Sequence, residues 1–254
     1  MAPMPKFAAS VTMMFNEVDL LDRFEQAASV GFRAVEVQVP YGESKEDIAD
    51  RLQRHGLTPV LFNLPVAVGA IPGQEAAFQQ GVTRALEYAE ATGCRQLHCL
   101  AGQTDDSRAE VTFVTNLKWA SEQARPRGVR LLIEPLNTRD NPGYFLTASS
   151  QARSIIDQVG TDNVFLQYDF YHMQIMEGFL TETVKANLDI IGHFQISGVP
   201  GRNEPDDSQE INYPYLFDLI DDVGFTGCVG CEYRPRGNTI DGLSWAAPLG
   251  ISAA

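Results

Sequence analysis

Four apolar runs in this chain each end on an oxygen-bearing side chain: Arg-Leu-Leu-Ile-Glu134, Val-Phe-Leu-Gln-Tyr-Asp169, Ile-Ile-Gly-His-Phe-Gln195 and Cys-Val-Gly-Cys-Glu232. Each run is too short and too rich in β-formers for a helix and reads as a buried strand of a parallel sheet. The ends are spaced by 35, 26 and 37 residues, room for a strand and a return helix. Strands repeated in this way close into a (β/α) barrel, whose C-terminal strand ends meet at one mouth. One carboxylate at a strand end is commonly a residue meeting water. Four oxygen donors at the same end of consecutive units point instead to a shared site. Ionised carboxylates converging in a partly buried place repel unless a cation or a shared proton compensates. Three carboxylates (Glu134, Asp169 and Glu232) with one amide oxygen (Gln195) suit Mg²⁺ or Mn²⁺ better than zinc, which prefers His and Cys. The chemistry expected there is proton transfer beside a hard cation.

The rest of the chain supplies the elements such a site needs. A β-like run from Phe7 to Phe15 precedes a helical pattern from Asp19 to Val30, with Leu20, Leu21, Phe24, Ala27 and Ala28 at helical spacing and Gly31 as its stop. Ala34 to Val39 reads as strand two. Ser44 caps the next helix, with Asp47 in the capping-box position, and Gly56 ends it. Pro59 to Asn63 is strand three, Gln74 to Thr92 a long helix closed by Gly93, and Gln96 to Ala101 strand four. Helices are expected at Ser107 to Arg125, Ala148 to Val159, Thr181 to Leu188 and Asn212 to Val223, with a short terminal one from Asp241. Eight strands alternating with helices, and no dinucleotide-binding glycine fingerprint, favour one closed α/β barrel, a single (β/α)8 TIM barrel over residues 1–254, rather than an open doubly wound sheet.

The 254 residues match one barrel of about 250 residues. A net charge of −14 repels phosphate backbones and gives no reason to expect an anionic membrane as partner. No apolar stretch approaches the roughly 18 residues of a membrane span, and Met1 to Lys6 lacks the apolar region of a secretory signal. Cys228-Val-Gly-Cys231 has redox or zinc spacing, but it lies inside an apolar strand rather than at a strand-to-helix turn. With Cys94 and Cys99 these read as reduced thiols of a cytoplasmic protein. The partner expected is a small molecule; the oligomeric state stays open, a homo-oligomer included.

His172, three residues past Asp169, is placed to hydrogen-bond a substrate hydroxyl at the mouth. Arg202, in the turn-rich stretch Gly198 to Pro205, is suited to grip a carboxylate or vicinal oxygens. His193 sits within a strand and reads as a packed core residue. His55 lies at a helix end, where its dipole interaction is favourable, and His98 is ambiguous.

The strings Glu134-Pro-Leu-Asn137, Tyr168-Asp-Phe-Tyr-His-Met-Gln174, His193-Phe-Gln-Ile196, Pro200-Gly-Arg-Asn-Glu-Pro205, Glu210-Ile-Asn-Tyr213 and Gly230-Cys-Glu-Tyr233 together resemble the hydroxypyruvate isomerase family. That family includes the 2-oxo-tetronate isomerases and belongs to the xylose-isomerase-like barrels. The resemblance runs nearly end to end, with Phe15-Asn-Glu17 and Phe62-Asn-Leu-Pro65. It implies that Glu134, Asp169, Gln195 and Glu232 bind a divalent metal and that Glu134 and Glu232 are the acid/base pair. The implied reaction is aldose–ketose type isomerisation of a small hydroxy-keto acid through a cis-enediolate. Related ketose 3-epimerases have histidine in place of Gln195; similarity to them implies that Asp140, His172 and Arg202 contact substrate. The chain departs from the pattern in a shorter 64–72 loop, in Phe62 where many members have histidine, and in Gly198-Val199 where some have Asp-Asn. The alternatives are a ketose 3-epimerase, a nuclease on a similar barrel, against which four histidines and the acidic charge argue, and a catalytically silent sugar-acid-binding barrel.

Overall fold

The computed structural model describes residues 5–252. Eight parallel strands close on themselves in sequence order. They are β1 (Lys6–Ser10), β2 (Ala34–Val37), β3 (Thr58–Asn63), β4 (Gln96–His98), β5 (Arg130–Ile133), β6 (Val164–Asp169), β7 (Ile191–Ile196) and β8 (Cys228–Cys231). Pairing of β1 with β8 closes the ring, with Ala8 opposite Gly230. The outer layer is α1 (Leu20–Ser29), α2 (Lys45–His55), α3 (Glu75–Thr92), α4 (Ala109–Ala124), α5 (Ser149–Val159), α6 (Phe170–Met176), α7 (Leu180–Asn187) and α8 (Tyr213–Asp222). A 3₁₀ segment spans Asp241–Leu249. Among the described residues no helix is long and apolar enough to cross a membrane.

Local sequence explains most of these elements. Ser44 accepts the Asp47 backbone N–H as the α2 N-cap, and Asn212 does the same for Tyr215 at α8. Gly56 and Gly93 end α2 and α3 in the left-handed region (φ 63° and 78°), which costs a residue without Cβ little. Helix faces then bury Phe24, Leu52, Phe78, Phe113 and Ile155 against the outside of the barrel.

Two features differ from the sequence expectation. The first run stops at Ser10, where the amides of Met13 and Met14 both turn back onto the Ser10 carbonyl (3.0 and 2.8 Å). The chain after Asp169 is a helix, because the Asp169 carboxylate accepts the Tyr171 N–H (2.8 Å) and caps α6. Inside the barrel, polar groups replace part of the branched apolar filling common in this fold: Ser10, Glu36, His98, Gln167, His193 and Gln195 are all buried.

Two irregularities aim those groups. Between β6 and β7 the register slips at Leu166/Gln167, after which Gln167 pairs with His193 and Asp169 with Gln195. Between β2 and β3 it slips at Val35/Glu36. A bulge redirects the side chains beyond it, and bulges gather near functional sites.

The 64–72 loop is tied down. Gly69 N–H and Ala70 N–H donate to the carbonyls of Leu100 and Ala101 (3.0 and 2.7 Å), and Asn116 Nδ2 donates to the Gly69 carbonyl (2.8 Å). Gly102 (φ 92°) makes the approach possible, since a Cβ there would lie 2.4 Å from the Ala67 carbonyl oxygen. The cysteines Cys94, Cys99, Cys228 and Cys231 are all free thiols. Three residues apart on one strand, Cys228 and Cys231 face opposite sides of it.

Candidate active site

Glu134 follows β5, Asp169 and Gln195 lie at the ends of β6 and β7, and Glu232 follows β8. Asp169 and Gln195 are fully buried and Glu134 is 4% exposed. Glu134 Oε1 and Asp169 Oδ2 are buried without any hydrogen-bond partner. Burial, then the Glu232 and Asp169 charges, pushes Glu134 well above the usual carboxylate range, against the pull of Arg202. Burial raises Asp169 to about 7, with Arg202 opposing and Glu232 reinforcing. Burial also raises Glu232, again opposed by Arg202. Carboxylates with unused lone pairs, crowded and desolvated, form a donor set that fits a hard divalent cation.

Arg202 provides the positive charge. Its guanidinium donates to Glu232 Oε2 (2.6 Å) and lies 3.7 Å from Asp169 Oδ2. Burial disfavours its charge, but Glu232, Asp169 and Glu134 together hold it protonated. Its backbone is left-handed (φ 54°), a conformation that costs a non-glycine residue. Two bonds hold that conformation: Arg202 N–H donates to the Gly198 carbonyl and the Arg202 carbonyl accepts from Arg234 N–H, both at 2.7 Å. Arg202 also stacks over the Tyr171 ring, 5.2 Å from its centroid.

His172 lies in the first turn of α6, fully inside the site. Its Nε2 is 3.6 Å from Asp169 Oδ2 and 3.9 Å from Glu134 Oε1, so these three residues present possible ligand atoms within 4.8 Å of one another. The other nitrogen decides its role. Nδ1 accepts the Asn137 backbone N–H (3.0 Å), a donor that cannot reverse. Burial, then Arg202, pushes the imidazole well below its ordinary pKa, so it is neutral and carries its one proton on Nε2. His172 therefore presents an N–H donor to the mouth, which suits a substrate oxygen rather than a cation.

Asp140 does not join this group directly. It stands at the rim, accepting Tyr171 Oη–H (2.7 Å) and Asn137 Nδ2–H (3.0 Å). With Tyr171, Gln174, Val199 and Glu210 it lines a cleft of ≈ 370 Å³. The sequence-predicted residues thus form an inner set (Glu134, Asp169, Gln195, Glu232, His172 and Arg202) and one outer residue linked to it through Tyr171.

Sequence reasoning passed over Glu36 and Gln167, left His98 ambiguous and read His193 as packing. Gln167 Nε2 donates to Glu134 Oε2 (2.9 Å) and to Gln195 Oε1 (2.7 Å). His98 Nδ1 faces Asn63 Oδ1 (3.3 Å) and Glu134 Oε2 (3.6 Å). Burial, then His193, takes the His98 imidazole down to about 3, so it too is neutral. Gln167 and His193 stand two residues before Asp169 and Gln195, the same-face spacing of a strand. That spacing was the available signal.

The barrel agrees with the relatives of the chain. A family model described as xylose isomerase-like TIM barrel matches residues 24–249. A 2-oxo-tetronate isomerase of Cupriavidus necator is 45% identical over 96% of this chain and 98% of its own. Hydroxypyruvate isomerase of Escherichia coli is 42% identical over 96% of this chain and 99% of its own. A crystal structure from Brucella melitensis, described as an AP endonuclease of family 2, superposes with a TM-score of 0.94 at 44% identity, covering 96% of this chain and 99% of that one.

Proposed function

The chain belongs to the xylose isomerase-like TIM barrel family and is an isomerase; on that premise we propose that it interconverts the carbonyl and hydroxyl positions of a small hydroxy-keto acid, hydroxypyruvate or a 2-oxo-tetronate, with Glu134 and Glu232 as the proton-transfer pair. The names of its relatives supply the substrate class. The observation that carries the chemistry is the pair of unpartnered buried oxygens on Glu134 and Asp169 beside the Arg202–Glu232 ion pair. Glu134, Asp169 and Glu232, with the amide oxygen of Gln195, would hold a divalent cation such as Mg²⁺ or Mn²⁺. Bound there, the cation supplies Lewis acidity, acidifying the C–H beside the substrate carbonyl and favouring the ionised carboxylates.

The protein's own residues do the rest. One of Glu134 and Glu232, ionised, takes the proton from the carbon next to the carbonyl, giving an enediolate. The other, entering the cycle protonated, returns a proton to the former carbonyl carbon, the hydroxyl proton passes between the two oxygens, and a proton passed from the first carboxyl to the second resets the pair. No atom is gained or lost. Hydroxypyruvate would give tartronate semialdehyde, and a 2-oxo-tetronate would give its 3-oxo isomer. His172 Nε2–H donates to a substrate oxygen, and Arg202 faces the substrate carboxylate with a planar pair of N–H donors. Asp140, held by Tyr171, is placed for a substrate hydroxyl further out. A carbonyl-forming enediol needs shelter from water, and the near-complete burial of Glu134 and Asp169 favours it. Phosphodiester cleavage is disfavoured by the net charge of −14, which repels a nucleic-acid backbone.

The test is a coupled assay on hydroxypyruvate, 2-oxo-tetronates and C4–C6 ketoses, with and without added Mn²⁺. Metal-stimulated turnover confined to the keto acids is expected. Turnover confined to ketoses, with inversion at C3, would make the protein an epimerase instead. Metal binding with no turnover on any of them would leave a binding barrel.

A further inference from the structure

Beneath the proposed metal ligands lies a buried carboxylate to which the reaction gives no part. On the reading that Gln195 offers its oxygen to the cation, we propose that Glu36 is a positioning residue: it fixes the orientation of the Gln195 carboxamide and so makes a glutamine usable as an oxygen ligand.

A carboxamide has two faces, a carbonyl that attracts a cation and an NH₂ that repels one, and packing hardly distinguishes them. Glu36 does. It is fully buried on β2, and its side-chain oxygens face amide donors. Its Oε2 takes hydrogen bonds from Gln195 Nε2 and from Gln38 Nε2, both at 3.0 Å, and its Oε1 meets His193 Nε2. Gln38 is itself oriented, because Ser10 Oγ donates to Gln38 Oε1 (2.8 Å). The amide nitrogen of Gln195 is thereby committed to Glu36. Its oxygen turns to the opposite side, where Gln167 Nε2 donates to it while also bonding Glu134 Oε2. One lone pair of Gln195 Oε1 remains for a cation shared with Glu134.

The fold is shaped around this carboxylate. A Cβ at Gly230, opposite Gln195 on β8, would lie 1.8 Å from Glu36 Oε1. Glycine at that position leaves the volume the carboxylate occupies. Glu36 reaches it from just past the register slip on β2. With its oxygens bonded to three side chains, Glu36 acts through Gln195 and does not touch substrate.

The experiment measures Mn²⁺ affinity of the chelator-treated, dialysed protein by calorimetry, a readout independent of turnover. Glu36→Met, which keeps volume and removes the acceptor, is expected to weaken Mn²⁺ binding by about 10-fold or more, the usual scale for losing the partner that orients a metal ligand. Glu36→Gln is expected to stay within about 3-fold of wild type, because its carbonyl can still accept from Gln195 while His193 adopts the other tautomer. In a Gln195→Ala background the Glu36→Met change should add less than about 2-fold, since the two residues act as one unit. If Glu36→Met does not fold, Gly230→Ala, whose methyl displaces the carboxylate, is measured in its place. Unchanged Mn²⁺ affinity in the variant, or an undiminished further loss in the Gln195→Ala background, overturns the assignment to Glu36 alone. A wild-type protein that binds no Mn²⁺ overturns the cation reading of the site and this inference with it.

Discussion

In the β1–β4 half of the barrel the inward glutamate, Glu36, has its oxygens bonded to Gln195, Gln38 and His193. In the β5–β8 half the inward glutamate, Glu134, keeps Oε1 buried and unpartnered, and Asp169 does the same with Oδ2. Burial alone does not separate these residues, since all three are shielded from solvent. Hydrogen-bond saturation does. A fully bonded buried carboxylate holds a geometry, whereas one left with free lone pairs beside another acid is unstable until a cation or proton joins it. On the proposed function, the first half of the barrel orients and the second half carries the chemistry.

The sharpest way to break this division is to remove charge from the second half. Glu232→Gln keeps the shape and leaves Arg202 a carbonyl to donate to. It should cut kcat by about 10²–10⁴, the range for a lost general acid or base, while the circular dichroism spectrum stays that of wild type. Near-normal turnover would remove Glu232 from the proton-transfer pair.

A smaller effect is expected from crowding the first half. Gly230→Ala sets a methyl against Glu36 and should cost about 1–3 kcal/mol, as overpacking does, read as a lower urea midpoint. An unchanged midpoint would mean that the Glu36 carboxylate has another place to go and that the glycine was not required.

The pH dependence should separate the halves more gently. Asp169 is raised to about 7 by burial, and Glu134 and Glu232 are raised as well, whereas carboxylates in the unfolded chain titrate near about 4. The metal-free native state therefore holds protons that the unfolded chain has released. Its stabilisation from these groups is complete below about pH 4 and is lost as pH rises toward about 7. A cation favours the ionised forms, so the rise in Tm on adding Mn²⁺ should grow across that window. A Mn²⁺-induced rise that is flat from about pH 5 to about pH 7 would contradict the raised carboxylates.

The two halves were not equally legible in the sequence. Glu134, Asp169, Gln195 and Glu232 each close an apolar run, so the change from strand to mouth is written in the residue order. The barrel was legible for a similar reason, because glycines such as Gly56 and Gly93 punctuate helix ends at a regular beat. Glu36 and His193 lie inside their strands, where a polar residue between apolar ones also fits ordinary alternation. Their partnership joins residues 157 positions apart and depends on two register slips, which no local pattern announces. Helix α6 is hidden in the sequence because its cap, Asp169, also ends the apolar run of β6. His172 shows a different limit. Its place near Asp169 could be read from sequence, but its role rests on the backbone N–H of Asn137, which only the folded chain brings to Nδ1.

On the proposed function, the unpartnered oxygens of Glu134 and Asp169 serve a divalent cation in keto-acid isomerisation. The most direct measurement is turnover of hydroxypyruvate and a 2-oxo-tetronate by protein stripped with a chelator and dialysed, before and after Mn²⁺ is returned. Loss of isomerisation on stripping and its recovery with Mn²⁺ in wild type, but not in Glu134→Gln, is the predicted result. Full turnover by the stripped protein would contradict it.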